Sequence, residues 1–329
     1  MGRGELQPVP TSFRRWAQKL RAAAEPAGAE EELEAWLDIV DGPDRRLASR
    51  ALDPRVDIAA RARTISLDLP ADVTGPLLSD VPAAFHGGAN DVLLAGLALA
   101  VAQWRRHRGG RGTDVLVDLE GHGRGDAVPG TDVSRTAGWF TSIHPVRIDA
   151  GQADWAQVRD GGPAAGAAVK KVKEQLRQVP SDGARYGLLR YFDDAAAEEL
   201  SALPSAQIAF NYLGRVASGG GDADWDLAPE ELPSGEDPRM PMAHVLEINA
   251  VTRDLPGGPE LSAAWTWPDG TLGDDDVREL AEAWFTALRG LVAHVASGAG
   301  DGGFTPSDLL VDLDQGEIDT LQNAWRNGQ

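Results

Sequence analysis

Apolar and polar positions along the chain follow two periods, one helical and one strand-like. Thr11 and Ser12 can cap a helix start, and Phe13, Trp16, Ala17 and Leu20 then recur at helical spacing. Leu33, Trp36 and Leu37 resume that spacing after a break at Pro26-Ala27-Gly28, so residues 11–37 read as helical. Residues 41–62 are rich in Pro, Arg and Asp and lack a period, which suits a connector. Thr64 to Leu69 alternates like a half-buried strand and stops at Pro70. Asn90 opens a run, Asp91 to Trp104, that is apolar on nearly every face, the pattern of a helix buried in the core against a sheet. Arg105-Arg106-His107-Arg108 and Gly109-Gly110 suit its C-terminal end.

Val115 to Leu119 reads as a central strand that gives way to the loop Glu120-Gly121-His122-Gly123-Arg124. Further strands are expected over 141–148 and 208–213, with a helix over 164–179 between them. Ser218 to Asp226, with Gly219-Gly220-Gly221 near its start, reads as a flexible surface loop. Residues 245–252 and 261–267 flank Asp254-Leu255-Pro256-Gly257-Gly258, a hairpin pattern. The last long helix is expected over 275–295, with Val277, Leu280, Trp284, Leu288, Leu291 and Val295 on one stripe. After a linker from Gly298 to Gly303, a tail carrying Leu309, Leu310, Leu313, Ile318 and Leu321 either docks on the domain or leads into a partner. Strands interspersed with helices predict a layered α/β or α+β fold rather than a bundle or a sandwich.

Composition narrows the partners. The chain has 329 residues, enough for one large or two smaller domains with a real core. Its 51 acidic and 31 basic residues give a formal charge of −20, which repels nucleic acid and anionic membranes; neither is expected as a partner. Cysteine is missing altogether, which excludes disulfides, thiolate metal sites and cysteine nucleophiles. The start, Met1-Gly2-Arg3-Gly4-Glu5, is not followed by an apolar signal region, and no apolar stretch approaches the ~18 residues of a membrane span. A cytoplasmic location is the expectation. The six histidines show no metal-ligand spacing, so no metal is expected.

Glu120 is the candidate that the residues themselves single out. A carboxylate where an apolar strand meets a glycine-flanked turn can be partly desolvated and still reach a ligand, which moves its pKa toward useful acid–base values. Gly121 and Gly123 let backbone come close to a substrate, while His122 and Arg124 add a titratable ring and a fixed positive charge. A polar loop with a salt bridge would have the same text. No Walker A sequence, Gly-x-Ser-x-Gly elbow or His-Glu-x-x-His pair competes with it. The tryptophans are core residues on general grounds, with Trp139, Trp265 and Trp267 the ones near candidate site strands or on the hairpin.

Val117-Asp118-Leu119-Glu120-Gly121-His122-Gly123-Arg124 resembles the Glu-Gly-His-Gly-Arg motif of epimerization domains in nonribosomal peptide synthetases, members of the condensation-domain superfamily. Gly138-Trp139-Phe140-Thr141 with Pro145-Val146, Tyr186-Gly187-Leu188-Leu189-Arg190-Tyr191, and Phe210-Asn211-Tyr212-Leu213-Gly214 resemble three further motifs of that family, in order. Thr11-Ser12-Phe13-Arg14-Arg15-Trp16-Ala17 and the tail from Thr305-Pro306-Ser307-Asp308 are similar to its flanking segments. Gly125 stands where the family has a second acidic residue, and Ala137 where it has Val. Nothing here matches the family's upstream His-His-x-x-x-Asp-Gly motif, which implies that roughly the first third of a full domain lies elsewhere.

The resemblance implies a chloramphenicol-acetyltransferase-like fold, mainly its C-terminal lobe. Residues 1–62 would be the remnant of an N-terminal lobe, 63–297 the C-terminal lobe, and 298–329 a linker and tail. It implies inversion between L and D forms at the α-carbon of an aminoacyl or peptidyl thioester. The substrate would be carried on the phosphopantetheine of a peptidyl carrier protein, no cofactor being bound directly, with other synthetase modules as partners. Glu120, Asn211 and Tyr212 would be catalytic, and His122, Arg124, Trp139 and Thr141 would contact substrate. Isomerase activity would need a complementing N-terminal lobe that carries the catalytic histidine. Two other readings stay open: an inactive half-domain that docks carrier proteins, and an amide-forming condensation domain.

Overall fold

The computed structural model describes residues 8–23, 29–42, 45–124, 128, 130–183, 185–217, 237–298, 302–311 and 313–326. The expected loop at 218–226, Gly125 and the extreme N-terminus lie outside these. In chain order the elements are α1 (Phe13–Ala22), α2 (Ala29–Val40), β1 (Ala62–Leu69), α3 (Ala71–Leu78), α4 (Asp80–Ala84), α5 (Ala89–His107), β2 (Asp114–Gly121) and β3 (Ser142–Asp149). There follow α6 (Trp155–Arg159), α7 (Pro163–Arg177), α8 (Tyr186–Phe192), α9 (Asp194–Ala202), β4 (Ile208–Ala217), β5 (Leu246–Leu255), β6 (Gly258–Pro268), α10 (Asp274–Ala296) and α11 (Gln315–Arg326). Short 3-10 turns occupy Ala59–Arg61, Pro180–Gly183 and Pro306–Asp308.

The strands hydrogen-bond in the order β1-β6-β5-β4-β2-β3, one mixed sheet in an α/β fold. β6 runs antiparallel to both β1 and β5, so the hairpin expected around Pro256-Gly257 is present, and β4 runs parallel to β5. Two compact units are built from interleaved stretches of chain. The first comprises Met1–Pro43, Asp118–Val146 and Val179–Ser205, and the second Asp44–Val117, Arg147–Gln178 and Ala206–Gln329.

In the second unit the core forms between the sheet and the long helices. Trp284 of α10 meets Phe210 of β4 and Trp265 of β6 edge-on, at 6.2 and 5.7 Å between ring centroids. Its indole N–H donates to the Leu93 carbonyl of α5 at 3.0 Å. α5 is buried on every face, as its all-round apolar pattern requires. α10 and α7 are its main helix neighbours, with α3 and α4 touching it more lightly, and α10 also carries the contact with Trp265 and Phe210. Gly96 permits the crossing, because a Cβ there would fall 2.6 Å from the Leu288 side chain. Trp265 and Trp267 are both fully buried core residues. No single helix among the described residues is long and apolar enough to cross a membrane.

The tail docks on the second unit through polar contacts more than through its leucines. Lys173 of α7, 1% exposed, donates to both Asp308 carboxylate oxygens at 2.6 Å and to the Phe85 carbonyl at 2.8 Å. Ser307 bonds Glu174, Lys170 bonds Asp319, and Phe304 stacks on His86. Ile318 is buried, whereas Leu310 and Leu321 are exposed.

The first unit gathers two clusters. Trp16 packs with Val128, Val133 and Phe140, and Trp36 with Leu189, Ala196 and Leu200. Ser12 caps α1 by accepting from the Arg15 amide, and Asp193 caps α9 by accepting from the Ala195 and Ala196 amides.

Candidate functional site

β2 delivers Glu120. Val115, Leu116 and Val117 are buried, and the next residues, through Gly121, are half-buried. The strand continues through Glu120 and Gly121, two residues beyond the expected end at Leu119, so Glu120 projects from regular strand backbone rather than from a loop. Beyond it the chain turns tightly. Gly123 has φ +61, and a Cβ on it would sit 1.5 Å from the Phe140 carbonyl oxygen. A Cβ on Gly121 would touch the Ser142 hydroxyl at 3.4 Å. The close approach that Gly123 permits is therefore to the chain's own Phe140 backbone.

Arg124 ties this turn to the loop that follows. Its guanidinium donates to the carbonyls of Val133 (2.7 Å), Thr136 (2.9 Å) and Gly138 (3.3 Å), and lies over the Phe140 ring at 4.3 Å from the centroid. The Arg124 amide donates to Nδ1 of His122 at 3.0 Å, leaving the ring exposed. Phe140 is anchored in turn by Phe13 and Trp16, with centroids 5.3 and 4.7 Å away. Thr136 donates its hydroxyl proton to the Thr11 carbonyl, and Lys19 donates to the Gly130 carbonyl. On this rigid base Trp139 is 82% exposed and Thr141 half-buried. The first unit thus brings His122 and Arg124 into direct contact, with Glu120, Trp139 and Thr141 on the same strand end and loop.

Asn211 and Tyr212 belong to the second unit, on β4. Asn211 stands opposite Asn249 of β5, and the Tyr212 hydroxyl shares a 2.9 Å hydrogen bond with the buried Thr252 hydroxyl. Directly after Tyr212 the register slips, with Gly214 at φ +82 and Leu213 exposed.

Tyr186 was not among the residues that the sequence pointed to as chemical. It opens α8 and packs on Trp36 at 5.0 Å, while Trp36 meets His144 at 6.0 Å. Burial, reinforced by the nearby Asp118 carboxylate and by Tyr191 and only partly offset by Arg190, pushes its phenol up to about 12. Gly183 is fitted to the same place, since a Cβ there would overlap the His144 ring at 2.1 Å. Tyr-Gly at 186–187 was the available signal, but nothing in the text shows that the ring is buried beside a carboxylate two residues before Glu120. Among the described residues no cluster of His, Asp and Glu could hold a metal ion.

A family model described as "Condensation domain" matches residues 2–232. Linear gramicidin synthase subunits C and D of Brevibacillus parabrevis are each 33% identical to the chain, over 96% and 94% of it. The chain spans only 4% and 6% of the lengths of those subunits. Among solved structures, the epimerization domain from the third module of tyrocidine synthetase B is 27% identical, with a TM-score of 0.75. That match covers 90% of this chain and 62% of the other. The condensation domain of Monacolin K polyketide synthase is similar in fold, with a TM-score of 0.57 at 16% identity, over 87% of this chain and 62% of that one.

Proposed function

Since the chain belongs to the condensation-domain family, we propose that it is an epimerization-type member acting on carrier-bound aminoacyl or peptidyl thioesters in the cytoplasm. The observation that carries this reading is Glu120, a half-buried carboxylate at the end of a buried strand, on a turn locked by Gly123 and Arg124. The likeness to a synthetase epimerization domain at 27% identity supports the choice within the family.

The chemistry suits a carboxylate. A thioester acidifies its α-proton, and a partly desolvated carboxylate can exchange that proton on one face of the planar enolate. Inversion takes a second acid on the opposite face, the part expected of the histidine of an N-terminal lobe. Inversion then needs no cofactor beyond the phosphopantetheine arm that presents the substrate. Asn211 and Tyr212 remain the proposed partners in catalysis, with His122, Trp139 and Thr141 as substrate contacts. Peptidyl carrier proteins and neighbouring synthetase modules are the proposed partners, in keeping with relatives that are subunits of linear gramicidin synthase.

Glu120→Gln keeps the shape and removes the base. The substitution is expected to lower α-proton exchange on a carrier-bound thioester by at least about 100-fold, with unfolding behaviour unchanged. Exchange at the wild-type rate in Glu120→Gln would overturn the assignment.

A further inference from the structure

Arg124 is expected, by resemblance, to face substrate, yet three of its N–H groups are directed to main-chain carbonyls 9, 12 and 14 residues along the chain. Such an arrangement closes a loop. The guanidinium plane also covers the face of Phe140, which is itself held by Phe13 and Trp16. A cation bonded to carbonyls and stacked on a ring is fixed in place, and the backbone that carries it is fixed with it.

That backbone sets the state of a second residue. The Arg124 amide can only donate, so Nδ1 of His122, 3.0 Å away, must accept with a lone pair. In the neutral ring the proton then resides on Nε2, and protonation of Nδ1 would break the bond. Gly123, at φ +61 between the two residues, supplies the turn that brings amide and ring together.

We propose that Arg124 is a positioning residue: its clamp on the 133–138 loop holds its own amide against His122 Nδ1, so that His122 is presented as an Nε2–H donor two residues from Glu120. The clamp is a property of the free protein. Its use, an N–H donor for the thioester oxygen as the α-proton leaves, rests on the activity proposed above. The ring state can be read without turnover, so failure of this inference and failure of that activity are separable.

The experiment is histidine-ring nitrogen NMR with amide hydrogen exchange on the full chain, comparing wild type, Arg124→Lys and Arg124→Ala. In the wild type, His122 is expected with an unprotonated Nδ1 and a protonated Nε2. In both variants the ring is expected to show mixed tautomers, and the amides at positions 124 and 136 to exchange about tenfold faster or more. Lysine should fail to rescue, because a compact ammonium lacks the planar fork of N–H groups that reaches the three carbonyls. Protection of β5 and α10 amides reports that each variant is folded, and the wild-type ring spectrum decides the tautomer even if Arg124→Ala does not fold. A wild-type ring protonated at Nδ1 would overturn the proposal. So would unchanged ring and amide signals in a folded variant, whether or not that variant had lost α-proton exchange.

Discussion

Gly123 shows how much a single position constrains the turn after Glu120. Its positive φ and the Phe140 carbonyl 1.5 Å from any Cβ leave no room for a side chain. Gly123→Ala is expected to cost about 1–3 kcal/mol from backbone strain, with more from displacing the 140–142 segment, read as a drop in the urea midpoint at unchanged slope. Tyr186 carries a pH signature. Its folded pKa, about 12, lies above the ordinary value of 10.0, so the folded state holds a proton that the unfolded state has lost. Its stabilising contribution is complete below about pH 10 and fades as pH rises toward about 12. Stability should therefore fall less steeply over that alkaline window in Tyr186→Phe than in wild type; equal slopes would contradict the assignment. At this scale the sequence singles out Glu120 as a candidate, because an apolar strand ending in an acid followed by spaced glycines is a recognisable text. The role of Arg124 was hidden, since its acceptors are main-chain carbonyls, which every residue type supplies.

Among the elements, strong periodicity marks the structure and weak periodicity does not. α5, α7, α10, β1 and the β5–β6 hairpin all lie where spacing and turn residues put them. Short helices such as α4, α6 and α8, of five to seven residues, offer too few turns for a stripe to show. The tail illustrates a different blindness. Its leucines suggest apolar docking, whereas the contact that dominates is the pair between buried Lys173 and half-buried Asp308. Burial opposes the charge on Asp308, but the Lys173 ammonium and the Thr305 amide and hydroxyl outweigh it and hold the carboxyl below its usual range. A depressed folded pKa means that this stabilisation is present above the unfolded carboxylate pKa and is lost as pH falls through the folded one. Asp308→Asn should cost about 3–5 kcal/mol at neutral pH, because the buried Lys173 charge is left uncompensated, and Lys173→Met less, because Thr305 still bonds the half-buried carboxylate. Denaturation midpoints of Asp308→Asn and wild type should converge in acid; a constant gap from neutral to acid pH would contradict the pairing.

Over the whole molecule, each compact unit is assembled from three separate stretches of chain, and β2 and β3 each pass from one unit to the other. Order along the sequence cannot display that interleaving, because it arises from contacts between segments far apart in the chain. What the sequence did carry at this scale was kinship: ordered motifs from Glu120 to Gly214 agree with the condensation-domain match over residues 2–232. Kinship fixes the fold more firmly than the reaction, since one scaffold supports different chemistries through its site residues. The decisive measurement is deuterium incorporation at the α-carbon of an L-aminoacyl or peptidyl thioester on a carrier protein in heavy water. The chain is assayed alone and with a separately supplied N-terminal lobe bearing a His-His-x-x-x-Asp-Gly motif. Deuterium at the α-carbon and a mixture of L and D forms are expected in at least one of these arms. Recovery of unlabelled L-substrate from both would contradict it.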